Sequence, residues 1–300
     1  MTRPEVRIYE VGPRDGLQAE ATVVSTEDKL RFISLLADAG LREIEATSFV
    51  RPDAIPQLAD ADQLLPRLER RPGVRYPVLV PNERGMQRAV AAGGDAICLF
   101  TAASEAYARA NINMTIDESL AAFEPVVATA RGAGMWIRAY VSTAFGCPYS
   151  GEVDERAVVE LSERLLRLGA DELSISDTVG VAAPADVRRV VGALALAGVD
   201  PQLLALHLHD TRGTALANVM AGLQLGVACF DAAAAGIGGS PFAPGSAGNL
   251  ATEDLVYLLD REGVRTGADL DAVLEAARFI SGALGKPLGS KVGRAGAWPA

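Results

Sequence analysis

This chain of 300 residues has two histidines, and both lie within Leu206-His207-Leu208-His209-Asp210. The run reads as a strand. Successive strand side chains point to opposite faces, so His207 and His209 share one face. Imidazoles about 6.5 Å apart along a strand can form one edge of a metal-binding face. The same pair also suits two hydrogen-bonded core histidines. What favours the metal is the set of polar groups at other strand ends: Glu10, Arg14 and Asp15 early in the chain, Glu45 further on, Asp177, and Asn249 with Glu253 late.

Such groups need a scaffold that brings strand ends together. Strand-like runs cover Val6–Val11, Glu43–Phe49, Tyr76–Val80, Ala96–Phe100, Trp136–Ser142, Glu172–Asp177, Leu203–His209 and Cys229–Ala234. Amphipathic helical stretches between them include Thr26–Ala39, Ile116–Gly132, Val153–Leu168, Pro184–Ala197 and Ala215–Gly226. Strands and helices alternating eight times in a chain of about this length predict an α/β fold, a single closed (β/α)8 TIM barrel. A doubly wound open sheet usually has fewer strands and a G-x-G-x-x-G turn after the first. Here that strand ends in Gly12-Pro13-Arg14-Asp15-Gly16 instead.

The barrel assigns places to the polar residues. Its chemistry belongs at the C-terminal ends of strands and in the loops beyond them. Glu43 and Glu45 share a face of the second strand, and buried carboxylates there need partners or a job. Arg138 and Tyr140 share a face of the fifth, and Asp177 ends the sixth. A loop rich in Gly and Pro, residues 236–245, follows the eighth.

Hydrophobic residues make up 49% of the chain, enough for a large core, and a formal charge of −10 argues against a nucleic-acid surface. Cys98, Cys147 and Cys229 are too few and scattered for a disulfide framework, which points to a reducing compartment. Neither a signal core nor a run of membrane-spanning length is present, so a soluble cytoplasmic protein is expected. The whole chain, 1–300, reads as one catalytic domain, with residues 285–300 a tail or partial lid.

Several motifs resemble the 3-hydroxy-3-methylglutaryl-CoA (HMG-CoA) lyase family. They are Val11-Gly12-Pro13-Arg14-Asp15-Gly16-Leu17-Gln18, Ile44-Glu45-Ala46-Thr47-Ser48-Phe49-Val50, His207-Leu208-His209-Asp210-Thr211 and Gly248-Asn249-Leu250-Ala251-Thr252-Glu253-Asp254. Asn111-Ile112-Asn113 and Gly146-Cys147-Pro148-Tyr149 extend the likeness, which spans about Val6 to Val292. The wider superfamily of Claisen-type synthases and aldolases shares the Arg-Asp pair and the His-x-His.

The resemblance implies a divalent cation, Mg2+ or Mn2+, held by Asp15, His207, His209 and Asn249, a donor set suited to a hard-to-borderline ion. Glu45 and Glu253 would orient ligands and solvent. Arg14 would stabilise an enolate oxygen. Gln18 and Thr47 would contact substrate, with Arg138, Tyr140 and Asp177 as further substrate-side candidates. The implied activity is retro-Claisen cleavage of HMG-CoA to acetoacetate and acetyl-CoA, a step of leucine and ketone-body catabolism. A homodimer is implied as well. No cofactor beyond the metal is expected, since no dinucleotide fingerprint or biotinyl or lipoyl lysine context is present.

Two departures stand out. The family's loop after strand eight reads Gly-Gly-Cys-Pro, with a catalytic Cys, whereas this chain has Ser240 there. An alcohol is a far weaker acid than a thiol, so Ser240 would have to relay a proton. Arg51-Pro52-Asp53-Ala54 replaces the family's Ser-Pro-Lys-Trp on the rim. These changes keep open a related substrate such as citramalyl-CoA. A third reading is a metal- and CoA-binding protein without turnover.

Overall fold

The computed structural model describes residues 5–239, 248–296 and 298. Nine parallel strand segments form its central sheet: β1 (Arg7–Glu10), β2 (Glu43–Ile44), β3 (Thr47–Ser48), β4 (Val78–Leu79), β5 (Ala96–Ala102), β6 (Trp136–Ser142), β7 (Glu172–Asp177), β8 (Leu204–Leu208) and β9 (Cys229–Ala232). They pair in the order β2-β1-β9-β8-β7-β6-β5-β4-β3.

The two ends of that order, β2 and β3, are the halves of the expected second strand, Glu43–Phe49. The interruption at Glu45–Ala46 is a change of partner. Glu45 N–H donates to the Glu10 carbonyl at 2.9 Å on one side, and Ala46 N–H donates to the Pro77 carbonyl at 2.9 Å on the other. β2 pairs with β1 and β3 with β4, so the ring closes through this broken strand. Nine segments therefore make the eight staves of a (β/α)8 barrel.

Alternation divides each stave. Ile97 and Leu99 on β5, Ile137, Ala139 and Val141 on β6, and Leu173 and Ile175 on β7 are all at most 1% exposed. They face the helices, where each large aliphatic side chain stabilises the fold by about 1.5–3 kcal/mol. The opposite set, including Arg138, Tyr140, Ser174, His207 and Asp231, points into the barrel. Helices start close to where the sequence places them, because short polar side chains cap them: Ser25 before Thr26–Asp38, and Thr115 with Glu118 in a reciprocal box before Ile116–Gly132. The helix expected from Val153 begins at Glu155, since Asp154 is its cap.

Charge fills the lower barrel. Arg7 donates to Glu43 at 2.6 Å and also pairs with Glu172, and Arg75 donates to Glu43 at 2.7 Å. One layer higher, Arg138 is fully buried, with Nη2 at 2.5 Å from Asp231 and Nε at 3.0 Å from Glu172. Its guanidinium lies 3.6 Å from the Tyr9 ring centroid. Buried charges persist only when compensated in this way.

The chain's end lies against the C-terminal mouth. Lys286 pairs with Glu20 at 2.5 Å, Gly289 N–H donates to the Ala235 carbonyl at 3.1 Å, and Ser290 donates to Glu253 at 2.5 Å. Lys291 pairs with Asp210, and Asp254 accepts from the N–H groups of Lys291 and Val292 at the start of the helix Lys291–Ala295.

Candidate active site

The loop leaving β1 turns sharply through Gly12–Gly16. Gly12 N–H donates to Glu10 Oε1 at 2.9 Å, and a Cβ at position 12 would sit 2.5 Å from that oxygen, so the turn needs glycine. Glu10 also accepts from Ala234 N–H at 3.0 Å and from the Thr252 hydroxyl at 2.6 Å, tying the first and last staves together.

The turn delivers Arg14 and Asp15 to the C-terminal mouth. Arg14 grips Glu45 through Nε at 2.7 Å and Nη2 at 3.2 Å, while Nη1 donates to Asp15 at 2.8 Å. Glu45 is completely buried, and its second oxygen also receives the Tyr140 hydroxyl. Arg14 lies 5.2 Å from the Tyr140 ring centroid. The guanidinium is thus fixed in orientation and only 4% exposed.

Beside it, Asp15, His207 and His209 each place a ligand atom within 4.8 Å of the others. The two histidines face each other through Nε2 atoms 3.1 Å apart. Asn249 joins them: its Nδ2 donates to Asp15 Oδ2 at 2.8 Å and to the Ile237 carbonyl at 3.3 Å, while its buried Oδ1 has no hydrogen-bond partner among the described residues. Burial raises the Asp15 carboxyl pKa, but Arg14, both histidines and Asn249 outweigh it and bring it from 3.8 down to about 2. Burial, helped by His207, lowers His209 from 6.5 to about 3. One carboxylate, two imidazoles and an orphaned amide oxygen fit a divalent cation of the Mg2+ or Mn2+ kind.

The remaining expected residues divide. Among the described residues, Gln18 Oε1 and Thr47 Oγ1 are buried without hydrogen-bond partners, as substrate contacts would leave them. Tyr140 reaches the site through Glu45 and with its ring, which stands T-shaped to the His207 ring at 6.1 Å between centroids. Arg138 is corrected: alternation gave its face and not its depth, and it lies a layer below, held by Asp231 and Glu172. Asp177 accepts from Val181 N–H at 2.9 Å and Ala182 N–H at 3.0 Å, which makes it an anchor of the loop after β7. Glu253 stands apart from the ligand group. It accepts from Ala235 N–H at 3.0 Å and holds that residue in a left-handed conformation, φ 66°. Ser240 lies outside the described residues. Cys98 and Cys229 are buried strand residues, and Cys147 Sγ accepts a hydrogen bond from Ser104 Oγ at 3.0 Å.

Asp231 was missed. It stands beside His207 on β9, and its Oδ2 lies 3.2 Å from His207 Nδ1. The signal available was one acid in the apolar run Cys229-Phe230-Asp231-Ala232, on the inward-facing position.

Comparison with known proteins agrees with this geometry. The HMGL-like family model matches residues 5–280. The mitochondrial hydroxymethylglutaryl-CoA lyase of Bos taurus is 47% identical over 97% of this chain and 89% of its own length. The cytoplasmic 3-hydroxy-3-methylglutaryl-CoA lyase of Rattus norvegicus is 47% identical over 97% of this chain and 84% of its own. The structure of an HMG-CoA lyase from Acinetobacter baumannii, in complex with coenzyme A and 3-methylmalate, superposes with a TM-score of 0.92 at 40% identity, over 99% of this chain and 98% of that one. With its barrel, its ligand group and its Arg14–Glu45 pair in place, this chain belongs to the HMGL-like family.

Proposed function

We propose that this chain is a divalent-cation-dependent carbon–carbon lyase that cleaves HMG-CoA to acetoacetate and acetyl-CoA. The observation that carries the reading is the orphaned Asn249 Oδ1 beside Asp15, His207 and His209 at the mouth where Arg14 is fixed. Those four residues would hold Mg2+ or Mn2+, whose chemistry is to polarise substrate oxygens and ease deprotonation of the tertiary hydroxyl.

The chain's own groups account for the rest. Once the hydroxyl proton has passed to solvent water, the adjacent C–C bond breaks, its electron pair passing into the thioester as an enolate while the alkoxide carbon becomes a ketone. Arg14 meets the enolate oxygen with a cation already oriented by Glu45, so no reorganisation is needed during reaction. Tyr140, through Glu45, supports that orientation. Gln18 and Thr47 offer unpaired polar atoms to the acyl arm. The enolate carbon takes a proton from the loop after β9, with Ser240 relaying it, and acetyl-CoA results.

A related substrate such as citramalyl-CoA is not favoured. The relatives compared above carry HMG-CoA lyase in their names despite the local differences at Ser240 and Asp53-Ala54. A binding protein without turnover is not favoured either.

The chain would act in leucine and ketone-body catabolism, as one catalytic domain with residues 285–300 as a partial lid, and as a homodimer. Among the described residues no helix is long and apolar enough to cross a membrane. The three buried free cysteines suit a reducing cytoplasmic setting, although relatives include both mitochondrial and cytoplasmic enzymes.

Acetyl-CoA release from HMG-CoA and from citramalyl-CoA, each with Mg2+ and with chelator, tests this reading. Chelator-sensitive release from HMG-CoA in clear preference is expected. Preferential cleavage of citramalyl-CoA, or none of either, overturns it.

A further inference from the structure

His207 and His209 differ in what lies behind them. The outer nitrogen of His209, Nδ1, is buried with no hydrogen-bond partner among the described residues. That of His207 faces Asp231 Oδ2 at 3.2 Å. Asp231 is itself held on three sides within the barrel: Ser174 Oγ donates to Oδ2 at 3.1 Å, Arg138 Nη2 donates to Oδ1 at 2.5 Å, and His207 completes the set. Asp231, Arg138 and Ser174 are at most 1% exposed.

A neutral imidazole carries one N–H, and the acceptor opposite one nitrogen decides which. We propose that Asp231 is a positioning residue that locks His207 in its Nδ1–H tautomer and ring orientation, leaving the Nε2 lone pair for the cation. This deepens the metal reading and rests on it. Carboxylates placed behind a ligating histidine in this way typically contribute about 10–100-fold to metal affinity.

The surrounding groups make the tautomer breakable. In Asp231→Asn, the single remaining oxygen is drawn to the fixed Arg138 guanidinium, since turning the amide the other way sets N–H against N–H. The Asn nitrogen then faces His207 Nδ1 and donates to it. The ring must move its proton to Nε2, where it blocks the lone pair the cation needs. A carboxylate serving only as counter-ion to Arg138 would leave the His207 tautomer untouched.

The two-histidine sequence makes the test clean. Untagged, metal-free protein labelled with [15N]histidine gives just two imidazole patterns near pH 8, and the His209→Gln spectrum assigns the one from His207. The wild type is expected to show His207 as Nδ1–H. Asp231→Asn is expected to show Nε2–H and about 10–100-fold weaker Mn2+ binding by electron paramagnetic resonance titration, with melting curves confirming that the variant is folded. An Nε2–H proton on His207 in the wild type overturns the proposal, and this spectrum stands whether or not the variant folds. A folded Asp231→Asn with wild-type tautomer and Mn2+ affinity overturns it too. If the wild type binds no Mn2+, the metal reading fails, while the spectrum still judges the Asp231–His207 lock separately.

Discussion

The two mouths of this barrel hold similar residues in opposite conditions. At the N-terminal mouth and in the buried layer above it, Arg7, Arg75 and Arg138 are matched against Glu43, Glu172 and Asp231, so each of these charges has a counterpart. At the C-terminal mouth, Arg14 gives three of its N–H bonds to Glu45 and Asp15, and among the described residues Asn249 Oδ1, Gln18 Oε1 and Thr47 Oγ1 are buried acceptors with no hydrogen-bond partner. Burying an acceptor without a donor costs about 1–3 kcal/mol. The fold carries that cost where a ligand can supply the missing contacts. Paired charge marks the structural end, where Glu172 Oε1 accepts no hydrogen bond but has Arg138 Nε 3.0 Å away, and among the described residues neutral acceptors without partners mark the chemical end.

This contrast can be broken residue by residue. Arg138→Met should be felt as stability, because it removes the cation facing buried Asp231 and one of the two facing buried Glu172. A loss of about 3–5 kcal/mol is expected, read from denaturant midpoints; a shift under about 1 kcal/mol would show that the lower layer is not held by that pair. Arg14→Lys should be felt as rate, since an ammonium cannot reproduce the two-pronged grip on Glu45. A fall of about 10²–10³ in kcat is expected with the melting temperature little changed, and near-wild-type turnover would remove Arg14 from the chemistry. Ser240→Cys supplies a thiol in the loop after β9 and should raise kcat several-fold, an order-of-magnitude expectation from the lower pKa of a thiol. Unchanged or slower release would mean that this chain solves its proton problem elsewhere. The smallest effect is Ala235→Gly. Removing the side chain at φ 66° should relieve up to about 1 kcal/mol of left-handed strain. Lowered thermal stability would show that the Glu253 and Gly289 contacts leave no strain to relieve there.

Much of this was legible in the chain. Strand-like runs located all the staves, and amphipathic stretches located helices such as Thr26–Asp38 and Ile116–Gly132, because both are local signals. The ligand group was legible through Asp15, His207, His209 and Asn249, whose residue types are costly to bury without purpose. Depth in the barrel was not. Arg138 and Tyr140 share a face, yet two residues along a strand is about 6.5 Å of height. Register with neighbouring strands decides which of them reaches the mouth: Arg138 aligns with Glu172, and Tyr140 with Ser174. Register is a long-range property, which is also why Asp231, opposite His207, escaped notice. The docking of Lys286, Ser290 and Lys291 onto Glu20, Glu253 and Asp210 was illegible for the same reason, since each partner is at least 37 positions away.

The most direct test of the account is the Mn2+ content of the purified wild type beside His209→Ala, measured by titration at neutral pH. The account predicts one tightly held Mn2+ per wild-type chain and its loss in a variant that still melts cooperatively. A folded His209→Ala that retains wild-type Mn2+ binding would contradict it, because the cation would then lie somewhere other than the Asp15–His207–His209–Asn249 site.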